Sequence, residues 1–259
     1  MAERSIVITG ASGGLGGSLA EIYSEPGTAL LLMGRNKARL AHITDRALYL
    51  GAQAQSARFS LAKTSTLVQR VSDYDCEHPI DLLIVNAGVK IGNVDGIEDA
   101  AQMAKVLDTN LQAAIHTVQA VIPGMIKRKR GQIALVSSLS AISPQPDLLS
   151  YSASKAGLSA YGSALRQSLY GSGISVTIIC PGFIDTRMTE IHSGPTPFLV
   201  SKERAAKIIR KGLDRKTPYI SFPIPLVLLA HLNNLLPVRL SDWFNSAFRA
   251  KIENIDDEI

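Results

Sequence analysis

The sequence predicts an α/β fold, a single doubly wound parallel sheet flanked by helices with a C-terminal helical extension. Three observations carry this expectation. Short apolar runs recur without polar alternation, helix-periodic segments separate them, and five glycines crowd the turn between the first run and the first helix. Unalternated apolar runs are what strands buried on both faces look like, and helices crossing between them make such strands parallel.

The runs are SIVITG (5–10), ALLLMG (29–34), IDLLIVNAG (80–88), QIALVSS (132–138) and ISVTIICPG (174–182), with ARFSLAK (57–63) read as the end of a third strand. Between them, LAEIYSE (19–25), KARLAHITDRALYL (37–50), LVQRVSDYD (67–75) and AAIHTVQAVIPGMIKRK (113–129) repeat apolar residues every three or four positions, as one face of a helix requires. No internal repeat or low-complexity linker divides the chain. Residues 1–190 are read as the core and 191–259 as a lid and extension of the same domain.

Composition narrows the function. The 259 residues are 46% hydrophobic and 19% charged, which excludes a disordered chain. Cys76 and Cys180 match no metal-ligand spacing and the five histidines are scattered, so no metal site is expected. The balance of 27 basic to 22 acidic residues is mild. The run KRKR (127–130) lacks the interleaved aromatics of a nucleic-acid site and reads as a solvated helix end. The opening MAERSIVITG has no long apolar signal region, so a cytoplasmic location is expected.

The first turn reads TGASGGLGG, with Thr9 followed by Gly10, Gly13, Gly14, Gly16 and Gly17. Glycines between a strand and a helix let the backbone approach a pyrophosphate, whose charge meets the positive end of the helix dipole. The spacing is not the common Gly-x-Gly-x-x-Gly. The same letters contain Gly-x-Ser-x-Gly, which offers Ser12 as the nucleophile of a serine hydrolase, but no upstream loop is present to supply an oxyanion donor. After the second strand come Arg35, Lys37 and Arg39, with no carboxylate before Asp45. A guanidinium grips phosphate with two hydrogen bonds, so NADP(H) is favoured over NAD(H).

Tyr151 and Lys155 stand four residues apart in YSASK and share one face of a helix. Together with TGASGGLG (9–16), NAG (86–88), Asn110 in LDTNLQA, SS (137–138) and PGFIDT (181–186), they make the chain resemble the short-chain dehydrogenase/reductases, whose sheet is of the Rossmann type. The resemblance implies interconversion of a carbonyl and a secondary alcohol, with Asn110, Ser138, Tyr151 and Lys155 as the catalytic set. It also implies coenzyme contacts at Gly10, Ser12, Gly13, Gly14, Leu15, Gly16, Arg35, Asn86, Ala87, Gly88, Tyr151, Lys155, Pro181, Gly182 and Thr186. In it Ser138 holds the carbonyl oxygen, Asn110 anchors a relay water and Lys155 also holds a ribose. The chemistry suits the set, because an ammonium about 4 Å from a phenol, at an effective dielectric near 20, favours phenolate by about 4 kcal/mol. Lys155 is therefore expected to lower the Tyr151 pKa. Ser60 stands where the family often has an acidic residue near the adenine. A regulatory or scaffold protein on the same fold is the alternative from another class.

Beyond Thr186, RMTEIHSGPTPFLVS (187–201) has the prolines and glycine of a lid, and KERAAKIIRKGLDRK (202–216) reads as a basic amphipathic helix. The segment FPIPLVLLAHLNNLLPV (222–238) is strongly apolar, yet too short and proline-broken to span a bilayer. It could pack over the pocket, form a subunit interface or lie on a membrane surface, and it suggests an apolar substrate. The substrate range stays open, from acyl, steroid-like or other lipid carbonyls to a keto-sugar of surface polysaccharide synthesis. The family resemblance implies a homodimer or homotetramer.

Overall fold

The computed structural model describes residues 4–59, 64–92, 98–190 and 194–246. Its strands and helices alternate from the start: β1 (Arg4–Thr9), α1 (Gly14–Ile22), β2 (Thr28–Gly34), α2 (Lys37–Tyr49), β3 (Gln53–Arg58), α3 (Thr64–Glu77) and β4 (Leu82–Val85). There follow α4 (Ala100–Leu107), a π-helical turn at Asp108–Gln112, α5 (Ala113–Arg128), β5 (Gly131–Val136), α6 (Leu149–Ser168) and β6 (Ile174–Pro181). The C-terminal part adds β7 (Ile184–Asp185), α7 (Arg187–Glu190), β8 (Val200–Ser201), α8 (Lys202–Asp214), β9 (Tyr219–Phe222), α9 (Ile224–Asn233) and α10 (Val238–Ser246). Seven strands form one parallel sheet in the order β3-β2-β1-β4-β5-β6-β9. This is the doubly wound sheet that the apolar runs predict.

Strand side chains alternate between two cores. Ile6, Ile8, Leu30, Leu32, Leu82 and Ile84 face α1, α2 and α8, where they meet Leu19, Leu40, Ile209 and Leu213. Val7, Leu31, Leu83, Val85, Ile133 and Leu135 face the other layer and pack on Leu67, Val71, Val118, Val121 and Leu158 of α3, α5 and α6. Both faces being dry, the central strands carry no polar alternation. Edge strand β3 departs from this rule, since QAQSAR shows much of its surface to solvent. The other edge is β9, whose Ile220 and Phe222 are buried although no long apolar run announces it. The apolar segment at 222–238 thus begins inside the sheet, at Phe222.

Local chemistry fixes the element ends. Asn36, Asp99 and Ser201 cap α2, α4 and α8, each accepting a hydrogen bond from the amide three residues on. The basic run at 127–130 is not simply solvated. Arg128 forks onto Asp75 at 2.7 and 3.0 Å and donates to the Ile80 carbonyl, while Arg130 pairs with Asp81 at 2.9 Å.

Helix α6 runs close to the sheet because Gly162 has no side chain. A Cβ there would lie 2.8 Å from both Leu135 Cδ1 and Ile178 Cγ1. Gly162→Leu is expected to push α6 outward and destabilise the fold by about 1–3 kcal/mol, read as a lower urea midpoint at unchanged m-value. An unaltered midpoint would show that α6 tolerates displacement.

Candidate active site

Strand order reverses beside β1, and the crevice at such a point is where α/β sheets bind ligands. Gly10 ends β1 with φ of +68°, and a Cβ there would sit 2.8 Å from the Ala87 Cα. A Cβ on Gly16 would come within 2.1 Å of the Gly10 carbonyl oxygen, so glycine alone lets the loop fold back this tightly. The Thr9 hydroxyl accepts from the amides of Asn86 (3.0 Å) and Ala87 (3.1 Å), and Asn86 Nδ2 donates to the carbonyls of Thr9 and Gly10. Asn86 is thereby a brace between the first turn and the end of β4. Gly13 precedes α1 without a side-chain cap, leaving the first-turn amides without intrahelical acceptors. The fold thus makes an anion cradle at the positive end of the helix dipole.

The Tyr-x-x-x-Lys pair lies on α6, and both side chains are buried, Lys155 at 4% exposure. Lys155 Nζ donates to the Val136 carbonyl at the end of β5, at 2.8 Å. Next in the chain, the Ser137 hydroxyl donates to the Lys155 backbone carbonyl at 2.9 Å, which pins the helix to the strand a second time. Ser138 turns the other way, its hydroxyl accepting from the Ser140 amide at 3.1 Å and lying near enough to the Tyr151 hydroxyl to favour its ionised form. Asn110 sits in the π-helical turn, fully buried. Its Oδ1 accepts from the Val89 amide (2.7 Å), and its Nδ2 donates to the Val89 carbonyl (2.9 Å) and to Ser154 Oγ (3.2 Å). Ser154 in turn donates to the Tyr151 carbonyl at 2.7 Å, so the Asn110 side chain ties the loop after β4 to the helix of Tyr151. A Cβ on Gly88 would lie 3.1 Å from Asn110 Oδ1 and 3.5 Å from Lys155 Nζ.

The electrostatics correct one expectation. Burial pushes the Tyr151 phenol above its usual pKa, with the Ser138 hydrogen bond pulling the other way. Burial likewise lowers the Lys155 ammonium to about 8. The expected lowering of the phenol by Lys155 is not what this geometry gives. The ammonium is drawn to the Val136 carbonyl and stands 5.8 Å from the Tyr151 ring centroid. Desolvation outweighs the pull of the Ser138 hydroxyl here.

One cavity of about 310 Å³ joins the glycine turn to this cluster. It is lined by Gly10, Ser12, Gly13, Gly14, Leu15 and Gly16, by Arg35, by Asn86, Ala87 and Gly88, by Ser138, Tyr151 and Lys155, and by Pro181, Gly182 and Thr186. Asn110 lies behind the wall and not in it. Arg39 joins Arg35 at the glycine-turn end. Ser60 lies outside the described residues. No histidine lines the cavity among the described residues, so Ser12 has no imidazole base there for a hydrolase reaction. No group of metal-ligating side chains occurs among the described residues either.

Sequence reading missed Lys90, Gln145 and Asn245 as walls, whereas Leu226, Leu229, Ala230 and Asn233 come from the 222–238 segment, for which packing over the pocket was one of the expectations. The apolar stretch at 222–238 was the signal for α9. Nothing marked Asn245 or Lys90 apart from their neighbours.

The family model for short chain dehydrogenase matches residues 4–194, about three quarters of the sequence. The chain is a short-chain dehydrogenase. This dehydrogenase is 34% identical over 248 residues to an uncharacterized oxidoreductase of Myxococcus xanthus, covering 93% of this chain and 96% of that one. It is 29% identical over 219 residues to the ketoacyl reductase HetN of Nostoc, covering 83% and 76%. Among solved structures, a short-chain dehydrogenase from Sphingobium yanoikuyae in complex with NADPH superposes with a TM-score of 0.79 at 22% identity, covering 98% of this dehydrogenase and 99% of that chain. The oxidoreductase family and the sheet architecture follow from these matches.

A depressed lysine pKa makes folding release a proton between the folded value and the ordinary 10.5. For Lys155 the penalty of burying the charge is complete below pH about 8 and is relieved as pH rises from there towards 10.5. Lys155→Met removes it. The variant is expected to gain about 1–3 kcal/mol at pH 7 relative to the native chain, and the gain should shrink at pH 10. Chemical denaturation at both pH values tests this, and a variant equally destabilised at both would contradict it.

Proposed function

We propose that the protein is an NADP(H)-dependent oxidoreductase that interconverts a carbonyl and a secondary alcohol, with Tyr151 as general acid and base. The observation that carries this reading is the single cavity in which the anion cradle, Arg35 and the Ser138–Tyr151–Lys155 cluster face one another. The residues fit a dinucleotide. The turn at Gly10–Gly16 leaves backbone amides for the pyrophosphate, and Gly14 keeps open the space that a Cβ would take 2.8 Å from the Thr186 methyl. Arg35 and Arg39 offer guanidinium groups for an adenosine 2′-phosphate, and the NADPH named with the Sphingobium yanoikuyae structure supports the choice of coenzyme. When bound, the nicotinamide supplies or accepts the hydride.

The chain's own residues manage the proton. Ser138 Oγ, within reach of the Tyr151 hydroxyl, donates to the substrate oxygen and stabilises the charge that grows on it. Tyr151, kept protonated by burial, gives its proton to that oxygen during reduction. Lys155, an ammonium below pH 8, compensates the phenolate that remains and loses this ability as it titrates. The neutral phenol suits reduction near pH 7, and alcohol oxidation is favoured in alkali. Asn110 positions this group through Val89 and Ser154. The apolar walls from α9 suit a lipid-like or acyl carbonyl, in keeping with the ketoacyl reductase among the relatives. The family usually works as dimers or tetramers, and a homo-oligomer is proposed here on that basis.

Tyr151→Phe is expected to lower kcat by about 10²–10⁴-fold while NADPH binding stays within a factor of about two, as read by stopped-flow turnover and coenzyme fluorescence. Full turnover would remove Tyr151 from the mechanism. Arg35→Ala should weaken NADPH binding by about 10–100-fold, the range for a charge-assisted hydrogen bond, with little effect on NADH. Equal losses for both coenzymes would show that Arg35 does not read the 2′-phosphate.

A further inference from the structure

Charge is unevenly spread around the cavity. Among the described residues that line it, Arg35, Arg39, Lys90, Lys155 and Arg187 are cations, and none is Asp or Glu. Arg35 and Arg39 stand at the glycine turn for a 2′-phosphate, Lys155 serves the phenol, and Arg187 is exposed on α7. Lys90 remains without a task in that scheme, although it is mostly buried. Keeping an ammonium largely out of water costs free energy that a bound anion offsets.

The backbone that carries Lys90 is held beside Tyr151. Gly88 and Lys90 line the cavity, while Val89 between them packs with Val106, Leu148 and Tyr151, and Ile91 packs on the same group. Such alternation is that of an extended chain. Asn110 grips Val89 from behind through both its amide and its carbonyl, at 2.7 and 2.9 Å. A Cβ on Gly88 would lie 3.5 Å from Lys155 Nζ, and two extended residues span at most about 7 Å. The chain thus leaves the glycine turn at Ala87 and reaches the Tyr151 cluster with Lys90.

We infer that Lys90 binds an anionic group of the substrate, which is then a carbonyl compound carrying a carboxylate or phosphate beside an apolar part. Leu226 and Leu229 of α9 offer walls for the apolar part. An ammonium is a compact point charge with three rotatable donors, so it accepts either oxyanion. Burial lowers the Lys90 ammonium to about 8, and no carboxylate among the described residues holds it up. The acidic side chains of neighbouring elements are engaged elsewhere. Both Glu98 oxygens accept from the Ser150 amide at 3.0 Å, Asp99 caps α4, and Asp108 accepts from Gln112 Nε2 at 2.6 Å. Asp147 is buried, engaged and absent from the cavity lining, and Asp95 lies outside the described residues. The inference rests on the proposed reductase reading for the place of the carbonyl, so its test reads binding and not turnover.

The test is calorimetric titration of the NADPH-loaded full chain with hexanoate, hexyl phosphate and hexanamide, which share an apolar tail and differ in charge. At least one of the two anions is expected to bind about 10–100-fold more tightly than the amide, the range for a hydrogen bond to a charged group. The tighter binder names the oxyanion. Lys90→Met should erase the preference and leave NADPH affinity within a factor of about two, whereas Lys90→Arg and Arg187→Ala should keep the preference. Should Lys90→Met melt early, Lys90→Gln takes its place. A native chain without preference overturns the inference, as does a preference that survives Lys90→Met or is lost only in Arg187→Ala. Parallel loss of NADPH and NADH affinity in Lys90→Met would put the lysine on the coenzyme's diphosphate and overturn it too. If the native chain binds no NADPH, the reductase reading fails by itself, and the same titrations without coenzyme, with Arg35→Ala added, still show whether Lys90 holds the anion.

Discussion

A lysine side chain removed from water holds the centre of this molecule in register. Lys155 Nζ meets the Val136 carbonyl at 2.8 Å, and one residue on Ser137 bonds the Lys155 backbone. These two contacts fix where α6 crosses the end of β5, and Gly162 lets the rest of the helix follow the sheet closely. The depressed Lys155 pKa is the cost of that arrangement, since an ammonium with one carbonyl partner is a poor substitute for a hydrated one. Sites that need charge in a dry place commonly trade stability for it.

From that crossing the rest of the cluster follows. Tyr151 stands one turn before Lys155, and Ser138 two residues after Val136, so strand and helix deliver hydroxyl, phenol and ammonium to one wall. Asn110 reaches the same helix from behind through Ser154. The π-helical turn at Asp108–Gln112 adds the residue that lets Thr109 and Asn110 both point inward. On the far side of the cavity, the Thr9–Asn86 brace sets the glycine turn against β4. The glycine turn and the Tyr151 cluster are thus placed by separate parts of one sheet.

Much of this was legible in the sequence because its causes are local. Unalternated runs such as LLLMG and LLIV announce strands wetted on neither face, and Gly10 and Gly16 announce a turn that no side chain could enter. What was hidden depends on distant neighbours. The sequence of β3, QAQSAR, is polar because that strand is an edge, and β9 is four residues whose Ile220 and Phe222 are buried in a core with Ile179 of β6 and with Ile209 and Leu213 of α8. The one-residue phase shift of the π turn leaves no mark on apolar periodicity. The sign of the Tyr151 shift was misjudged for a related reason. Helical spacing brings the lysine near, but the Val136 carbonyl that draws its charge away lies on another element.

The C-terminal part extends the same logic to substrate. α9 closes the cavity with Leu226 and Leu229 while its outer leucines remain in water, so one short helix is both wall and surface. The central claim is that the cavity is a coenzyme site that prefers a phosphorylated nicotinamide dinucleotide. Fluorescence titration of the purified chain with NADPH and with NADH tests it most directly. The account predicts that NADPH binds at least about tenfold more tightly, a difference of about 1.4 kcal/mol. Binding of neither coenzyme would contradict it.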